Sequence, residues 1–323
     1  MAAQRSPVVD GLGNLGHGCN VQTAVTKLLG ILVVLCSMAA ACSSSDTTTA
    51  VPEPVADPAT VEDPGDAATT TAAVLEPVAD RLPADPEAPT GEWAAGVNAA
   101  GWDFHRHLEG NAVSSPVSIG MAFSLSRAGA SADSGATLDQ IFGFPEAGLH
   151  DAANAVDLRL ARASTGLTTL EVANRLFPDD GFSILPEFLH TAAAQYGAAL
   201  QPVDTADGAA AAAAINQWVS ERTRGLIPVI VSDSVVQDQE LVLVNTVYLK
   251  ADWAEPFLPE WTSDGQFTTA DNRSVTVPFM RDREPVRRRF VQLGTADRPF
   301  LWAIVHPPTG TLLFVGRLVD PAA

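Results

Sequence analysis

Apolar residues in the first part of the globular sequence recur at helical spacing. Residues 96–108 place an apolar side chain every three or four positions, which predicts an amphipathic helix. Ser115 can cap a second helix, because Pro116 suits the first helical turn, and Gly225 ends a later Ala-rich helix. The same criteria predict helices over residues 115–129, 136–142, 186–196 and 209–224.

The second part of the sequence is dominated by strand patterns. Residues 240–249 are almost continuously apolar, as expected for a strand buried on both faces, whereas residues 170–177 alternate. Shorter strands are predicted over residues 267–269, 274–277, 300–305 and 311–318, separated by turns at 271–272 and 307–310. Helices that come first and are followed mostly by strands predict an α+β domain.

The N-terminal residues 1–41 have the composition of a targeting segment. Lys27 precedes an uncharged apolar run at residues 28–41, which is shorter than the roughly 20 residues of a membrane-spanning helix. Such a run is typical of a signal peptide. The small residues before Cys42 resemble a bacterial lipoprotein signal, which implies that Cys42 carries a lipid. The alternative is simple secretion after cleavage near Ala39–Ala41; both alternatives place the protein outside the cytoplasm.

Residues 42–91 are predicted to form a disordered tether. They are rich in Pro, Thr and Ala, and their many acidic side chains are opposed by Arg81 alone. A segment of this kind cannot bury enough apolar surface to offset the entropy lost on ordering. The formal net charge of the whole chain is −19, which excludes binding to nucleic acid, because phosphate recognition needs clustered Lys and Arg.

The sequence also excludes several kinds of site. Its three cysteines are Cys19, Cys36 and Cys42, so that residues 92–323 hold neither a disulfide framework nor a cysteine metal site. His105 and His107 are two residues apart and do not face each other on a helix. No motif of a hydrolase, a metalloprotease or a nucleotide-binding enzyme is present, so we expect no enzymatic activity and no cofactor. The preference for Arg over Lys and the high Ala content indicate a GC-rich bacterium.

Several blocks resemble those of serpins and occur in the same order. Residues 111–119 read Asn-x-x-x-Ser-Pro-x-Ser-Ile, residues 215–219 read Ile-Asn-x-Trp-Val, and residues 173–177 read Ala-Asn-Arg-Leu-Phe. The strand and the segment after it, residues 243–253, and the closing stretch, residues 297–321, are also similar to serpin segments. The resemblance covers nearly all of residues 95–321. It implies that residues 92–323 form a serpin-like domain of many helices packed on mostly antiparallel sheets.

The resemblance also implies roles for four residues. Ser115, Ser118 and Asn245 match the polar cluster beneath the centre of the main serpin sheet, where strands part to admit the reactive loop. Trp253 matches the tryptophan at the top of that sheet, where insertion begins. The alternative is purely structural: the two serines cap a helix, Asn245 satisfies buried backbone and Trp253 belongs to the core.

The segment between Met280 and Asp297 is too short for the parts that a serpin needs there. A serpin inhibitor is cleaved in an exposed loop, which then inserts into the main sheet and carries the protease with it. The intervening residues 281–296 span at most ~55 Å when fully extended, and a typical strand uses about 5–6 residues. We therefore expect an incomplete domain that lacks the reactive loop and neighbouring strands, and a family member that does not inhibit.

The same segment contains Arg287, Arg288 and Arg289, which offer a cleavage site to a trypsin-like protease; the alternative is a solvated basic turn.

The expected partners are an extracellular serine protease, the membrane through Cys42, and a second copy of the chain through sheet edges that the missing strands expose. Two other hypotheses stay open. The protein acts as a cell-surface binding module by strand addition, or it is the product of a decayed gene.

Overall fold

The chain folds as an α+β domain, as its sequence pattern predicts. The computed structural model describes residues 31–36, 75, 77–253, 256–281 and 296–322, the first of these ranges by its backbone alone. The helices in these ranges are α1 Thr90–Arg106, α2 Pro116–Gly129, α3 Ala132–Phe142, α4 Leu149–Ala161, α5 Pro186–Tyr196, α6 Gly208–Arg222 and the short α7 Asp233–Val236.

The strands of the described residues form three sheets. They are β1 Ile31–Cys36, β2 Ala112–Ser114, β3 Thr168–Pro178, β4 Ala199–Leu200, β5 Leu241–Ala251, β6 Ser263–Thr268, β7 Ser274–Phe279, β8 Phe300–His306 and β9 Thr311–Leu318. The main sheet has the order β1-β5-β3-β4, in which β5 and β3 are antiparallel and both outer strands run parallel to their neighbours. The second sheet, β2-β9-β8, and the hairpin β6-β7 are antiparallel.

The main sheet is covered on both faces. The larger core lies between the sheets and helices α1 to α5, and it includes Leu243 and Val247 of β5. A second core lies on the opposite face, where α6 packs Trp218 against Phe177 and Val244. Because successive residues of a strand point to opposite faces, a strand covered on both faces needs apolar residues at nearly every position. This explains the almost continuous apolar run of β5.

Helix α2 runs through the centre of the domain and is buried over most of its length. Ser115 caps it by accepting a hydrogen bond from the Ser118 backbone N–H at 3.2 Å, and Pro116 occupies its first turn. The predicted helix start is therefore confirmed. The helix packs against α1, β5 and β9, and so it connects the main sheet to the second one.

The ordered domain begins earlier than the predicted boundary at Glu92. Residues 77–89, which we call the strap, lie across α4 and α5, and α1 already begins at Thr90. Leu82 donates its backbone N–H to the Ala194 carbonyl at 2.8 Å. Arg81 contacts Asn154 and Asp157 of α4. The prediction of a disordered tether up to residue 91 is therefore wrong over the strap, and residues 42–74 all lie outside the described residues.

Part of the predicted signal segment pairs with the main sheet. Strand β1 lies beside β5 in parallel register, with Ile31 opposite Leu241 and Cys36 opposite Thr246. The remainder of residues 1–41, together with Cys42, lies outside the described residues. In the part of the chain that the structure describes, no helix has the length and apolar character needed to cross a bilayer.

Candidate functional site

Three of the four residues singled out by the resemblance meet in one buried cluster. The Ser118 hydroxyl of α2 donates to the Asn245 side-chain oxygen of β5. Asn245 in turn donates its amide to the Asn174 Oδ1 of β3 at 2.8 Å. Ser115 completes the group through its cap on the Ser118 backbone. The side chains of these residues are all buried. We call Ser115, Ser118, Asn174 and Asn245 the sheet-centre cluster.

The alternation of β5 positions this cluster. Asn245 lies on the same face as Leu243 and Val247, which is the face that α2 covers. The antiparallel register of β3 and β5 sets Asn174 directly opposite Asn245, so their side chains meet on that face. An amide supplies both a donor and an acceptor, which lets Asn245 join Ser118 to Asn174 without a charge.

The hydrogen bonds of the cluster continue toward α5. Asn174 donates its side-chain amide to the Tyr196 carbonyl at 3.4 Å, and the Tyr196 hydroxyl lies 2.7 Å from the His150 Nδ1. Burial raises the pKa of Tyr196 well above its usual value, and burial also lowers the pKa of His150. Both groups are therefore neutral near pH 7.

The chemistry of the cluster is structural. The Ser118 hydroxyl donates to an amide oxygen, and an amide is not a base that could activate a nucleophile. A chain of satisfied hydrogen bonds in a buried site instead fixes how α2 sits on the main sheet. Within the described ranges, no group of three or more His, Cys, Asp or Glu side chains could hold a metal ion.

Strand β1 closes the edge of the main sheet next to this cluster. Leu35 of β1 lies opposite Asn245 in the parallel register. This edge of β5 is therefore paired over Leu241–Thr246. Beyond Thr246, the rest of β5 extends past the end of β1.

Trp253 stands apart from the cluster. It follows the last residue of β5, Ala251, and its side chain is 41% exposed, so it is not a core residue. Its ring meets Phe257 edge to face at a centroid distance of 5.7 Å. The other predicted positions, Cys42 and the basic cluster Arg287–Arg289, lie outside the described residues.

Two buried polar contacts were not predicted from the sequence. Asn174 was recognised only as part of a strand pattern, although a polar residue between the apolar Val172 and Leu176 is a signal for a buried partner. His105 is also buried, with its Nδ1 2.9 Å from the Ser114 hydroxyl. Burial, reinforced by the nearby positive charge of Arg317, lowers the pKa of His105.

A family model described as Serpin (serine protease inhibitor) matches residues 104–295, which is more than half of the chain. The leukocyte elastase inhibitor of Xenopus tropicalis is 34% identical over 209 residues, covering 61% of this chain and 55% of that protein. Human antithrombin-III is 34% identical over 206 residues, covering 59% of this chain and 44% of that protein. The chain thus spans about half the length of these curated relatives.

Solved structures give the same fold. The structure titled cleaved Serpin 42Da matches with a TM-score of 0.52 and 31% identity, covering 58% of this chain and 51% of that one. Serpin-12 of Manduca sexta matches with a TM-score of 0.61, covering 72% of this chain and 99% of that one. At 15% identity the latter match concerns the fold alone.

Proposed function

Because this chain belongs to the serpin family of serine protease inhibitors, we propose that it is a non-inhibitory member whose main sheet receives no reactive loop. The observation that carries the proposal is the short connection between β7, which ends at Phe279, and β8, which begins at Phe300. Loop insertion needs a long exposed loop and the strands around it, and these residues supply too little chain for both.

The sheet-centre cluster supports this proposal. Ser118, Asn245 and Asn174 satisfy one another's hydrogen bonds, as expected of a closed sheet. This observation favours a sheet centre that serves stability.

The proposal predicts that proteases cleave this protein but are not trapped by it. When the full chain is incubated with trypsin or a subtilisin-like protease, we expect no covalent complex on a denaturing gel and no loss of protease activity. Trypsin is expected to cut at Arg287–Arg289, because three consecutive basic residues match its specificity. Gel electrophoresis and a residual-activity assay measure the two outcomes.

An inhibitory serpin incubated with the same proteases provides the positive control. A variant with Arg287, Arg288 and Arg289 all replaced by alanine should lose the trypsin cut and still form no complex. A higher-mass band that survives denaturation, formed by the parent and lost in the variant, would falsify the proposal.

We further infer that the protein is an internally shortened bacterial lipoprotein that acts outside the cytoplasm. Lys27, the apolar run at residues 28–41 and the small residues before Cys42 support this inference. Lipidation of Cys42 would attach the domain to the membrane through the residues that precede the strap. In this proposal an extracellular serine protease cleaves the protein and is not inhibited by it.

A second candidate function is peptide binding by strand addition. It is favoured by the pairing of β1 along β5, since an edge that accepts one six-residue strand has the backbone geometry to accept another. Removal of the signal segment by a signal peptidase would take β1 away. The edge of Leu241–Thr246 would then be open to a partner in extended conformation.

This candidate predicts binding of a peptide that copies residues 31–36, extended by lysines for solubility. Added to the form of the protein that starts at Cys42, the peptide should slow amide hydrogen exchange across Leu241–Thr246, because it restores the backbone pairing of β1. The same peptide with a central proline should have no effect, since proline lacks the N–H donor. Equal exchange with and without the first peptide would exclude this candidate.

A further inference from the structure

Strand β8 is an edge strand without the usual protection of an edge. It pairs with β9 on one side, and within the described ranges no strand pairs with its other side. Natural edge strands are kept from pairing with other chains by charged residues, prolines or bulges. The seven residues of β8, Phe-Leu-Trp-Ala-Ile-Val-His, contain neither a proline nor an acidic or basic residue other than His306.

The backbone of β8 is also regular. The one irregularity in its pairing lies where Ile304 faces Phe314 and Val305 faces Leu312, so that β9 contributes the extra residue Leu313. The bulge therefore belongs to β9. The unpaired edge of β8 therefore keeps the uninterrupted alternation of closely and widely spaced backbone groups that a further antiparallel strand requires.

The two faces of β8 differ in their surroundings. Trp302 and Ile304 pack against the main core, and the Trp302 ring lies so close to Gly316 that a Cβ there would come within 2.0 Å of it. On the other face, Leu301 and Val305 are 57% and 47% exposed. Together with the exposed Ala303 between them, they form an apolar row beside the open edge.

We propose that β8 pairs in antiparallel orientation with β8 of a second copy of this chain, around a two-fold axis at Ala303. In this arrangement Ala303 faces its own counterpart, and Leu301 faces Val305 of the other copy. On the inner face, Trp302 lies opposite Ile304 of the other copy. These cross-strand pairs are apolar, and the remaining pair, at the ends of the strands, joins Phe300 to His306.

The prolines that flank β8 select this register. Pro299 and Pro307 lie immediately before and after the strand. Moving the two-fold axis to Trp302 or Ile304 would bring one of these prolines opposite a strand residue, and proline cannot donate to the ladder. Only the register centred on Ala303 pairs all seven residues and leaves both prolines outside.

The second copy is favoured as occupant by its symmetry and by its charge. The pairing would join two three-stranded sheets into one continuous sheet through an isologous interface. Arg298 would lie opposite Pro308 of the other copy, so no like charges meet at the ends of the strands. This dimer does not depend on whether the protein inhibits a protease. Two copies anchored to one membrane would pair more readily, because anchoring raises their effective concentration.

The test compares the full chain with its Ala303→Lys variant by sedimentation over a wide range of concentration. We expect the parent to form a dimer, and we expect the variant to raise the dissociation constant by about fivefold or more, because two lysines would face each other across the axis. Ala213→Lys provides the matched control, since Ala213 is also exposed but lies on α6. The control should dimerise like the parent.

A second variant keeps the proposal falsifiable if the lysine disturbs folding. In the full chain with Ala303→Cys, mild oxidation should yield more disulfide-linked dimer than in the parent or in Ala213→Cys, all of which share Cys19, Cys36 and Cys42. Either of two results would overturn the proposal. In the first, the parent stays monomeric and the amides of β8 resist hydrogen exchange, which would mean that its own chain covers the edge. In the second, Ala303→Lys dimerises as well as Ala213→Lys, which would place the contact elsewhere.

Discussion

Replacing Asn245 by aspartate is expected to lower the free energy of unfolding at pH 7 by about 3–5 kcal/mol, the usual cost of an uncompensated buried charge. Asn245 is fully buried and donates its amide to Asn174 Oδ1 at 2.8 Å. A carboxylate at this position would turn an oxygen toward that oxygen, and the side chains to which Asn245 is hydrogen-bonded, Ser118 and Asn174, carry no charge. Chemical denaturation of the parent and the variant measures the difference.

Asn272→Asp is the matched control for this change. Asn272 is exposed in the turn between β6 and β7, where its φ of 61° suits Asp as well as Asn. We expect the control to change the stability by no more than about 0.5 kcal/mol, as is usual for surface substitutions. If both variants lost the same small amount, the sheet-centre cluster would not stabilise the sheet as described.

The sequence predicted those features that local patterns determine. The cap at Ser115 and the apolar run of β5 follow from neighbouring residues, and both are confirmed. The resemblance to serpins brought Ser118 and Asn245 to attention, and the structure joins them directly. Asn174 was missed because its role depends on the register of β3 against β5, which no local pattern reveals.

Helix α4 and the strap are two of the features that were missed, each for a physical reason. Helix α4 starts after Gly148, which adopts a φ of 71° and offers no side-chain cap, so the usual signals of a helix start are absent. The strap has the composition of a disordered segment and is ordered only because a few of its groups find partners on α4 and α5. Such long-range contacts override composition, and a single-sequence argument cannot foresee them.

The strap depends most on Arg81. Its Nε donates to Asn154 Oδ1 at 2.9 Å, and a terminal nitrogen donates to Asp157 Oδ2 at 2.6 Å. Asn154 also donates to the Leu82 carbonyl at 3.1 Å, which links the same helix to the strap a second time. The ion pair is largely sheltered, since the side chains of Arg81 and Asp157 are only 27% and 11% exposed.

Replacing Arg81 by alanine is therefore expected to lower the free energy of unfolding at pH 8 by about 3 kcal/mol, because Asp157 would keep a buried charge without its partner. The loss should shrink as the pH falls. Burial raises the pKa of Asp157, while Arg81 holds it down, so the variant raises it further. A carboxyl group whose pKa is higher in the folded state than in the unfolded state binds more protons in the folded state. The free energy of unfolding of the variant therefore rises as the pH falls from the folded-state pKa toward the unfolded-state pKa. Denaturation at pH 8 and pH 5 measures this difference.

Arg127→Ala is the matched control, because Arg127 also pairs with a carboxylate, Asp139, but both side chains are more exposed, at 34% and 40%. We expect this control to lose at most about 1 kcal/mol and to show little dependence on pH. Arg81→Ala should in addition make the strap sensitive to limited proteolysis, because its anchor on α4 is gone. The opposite result would be a loss of unfolding free energy that equals that of the control and does not depend on pH, with the strap still resistant to proteolysis. It would mean that Leu82 and its backbone contacts hold the strap without Arg81.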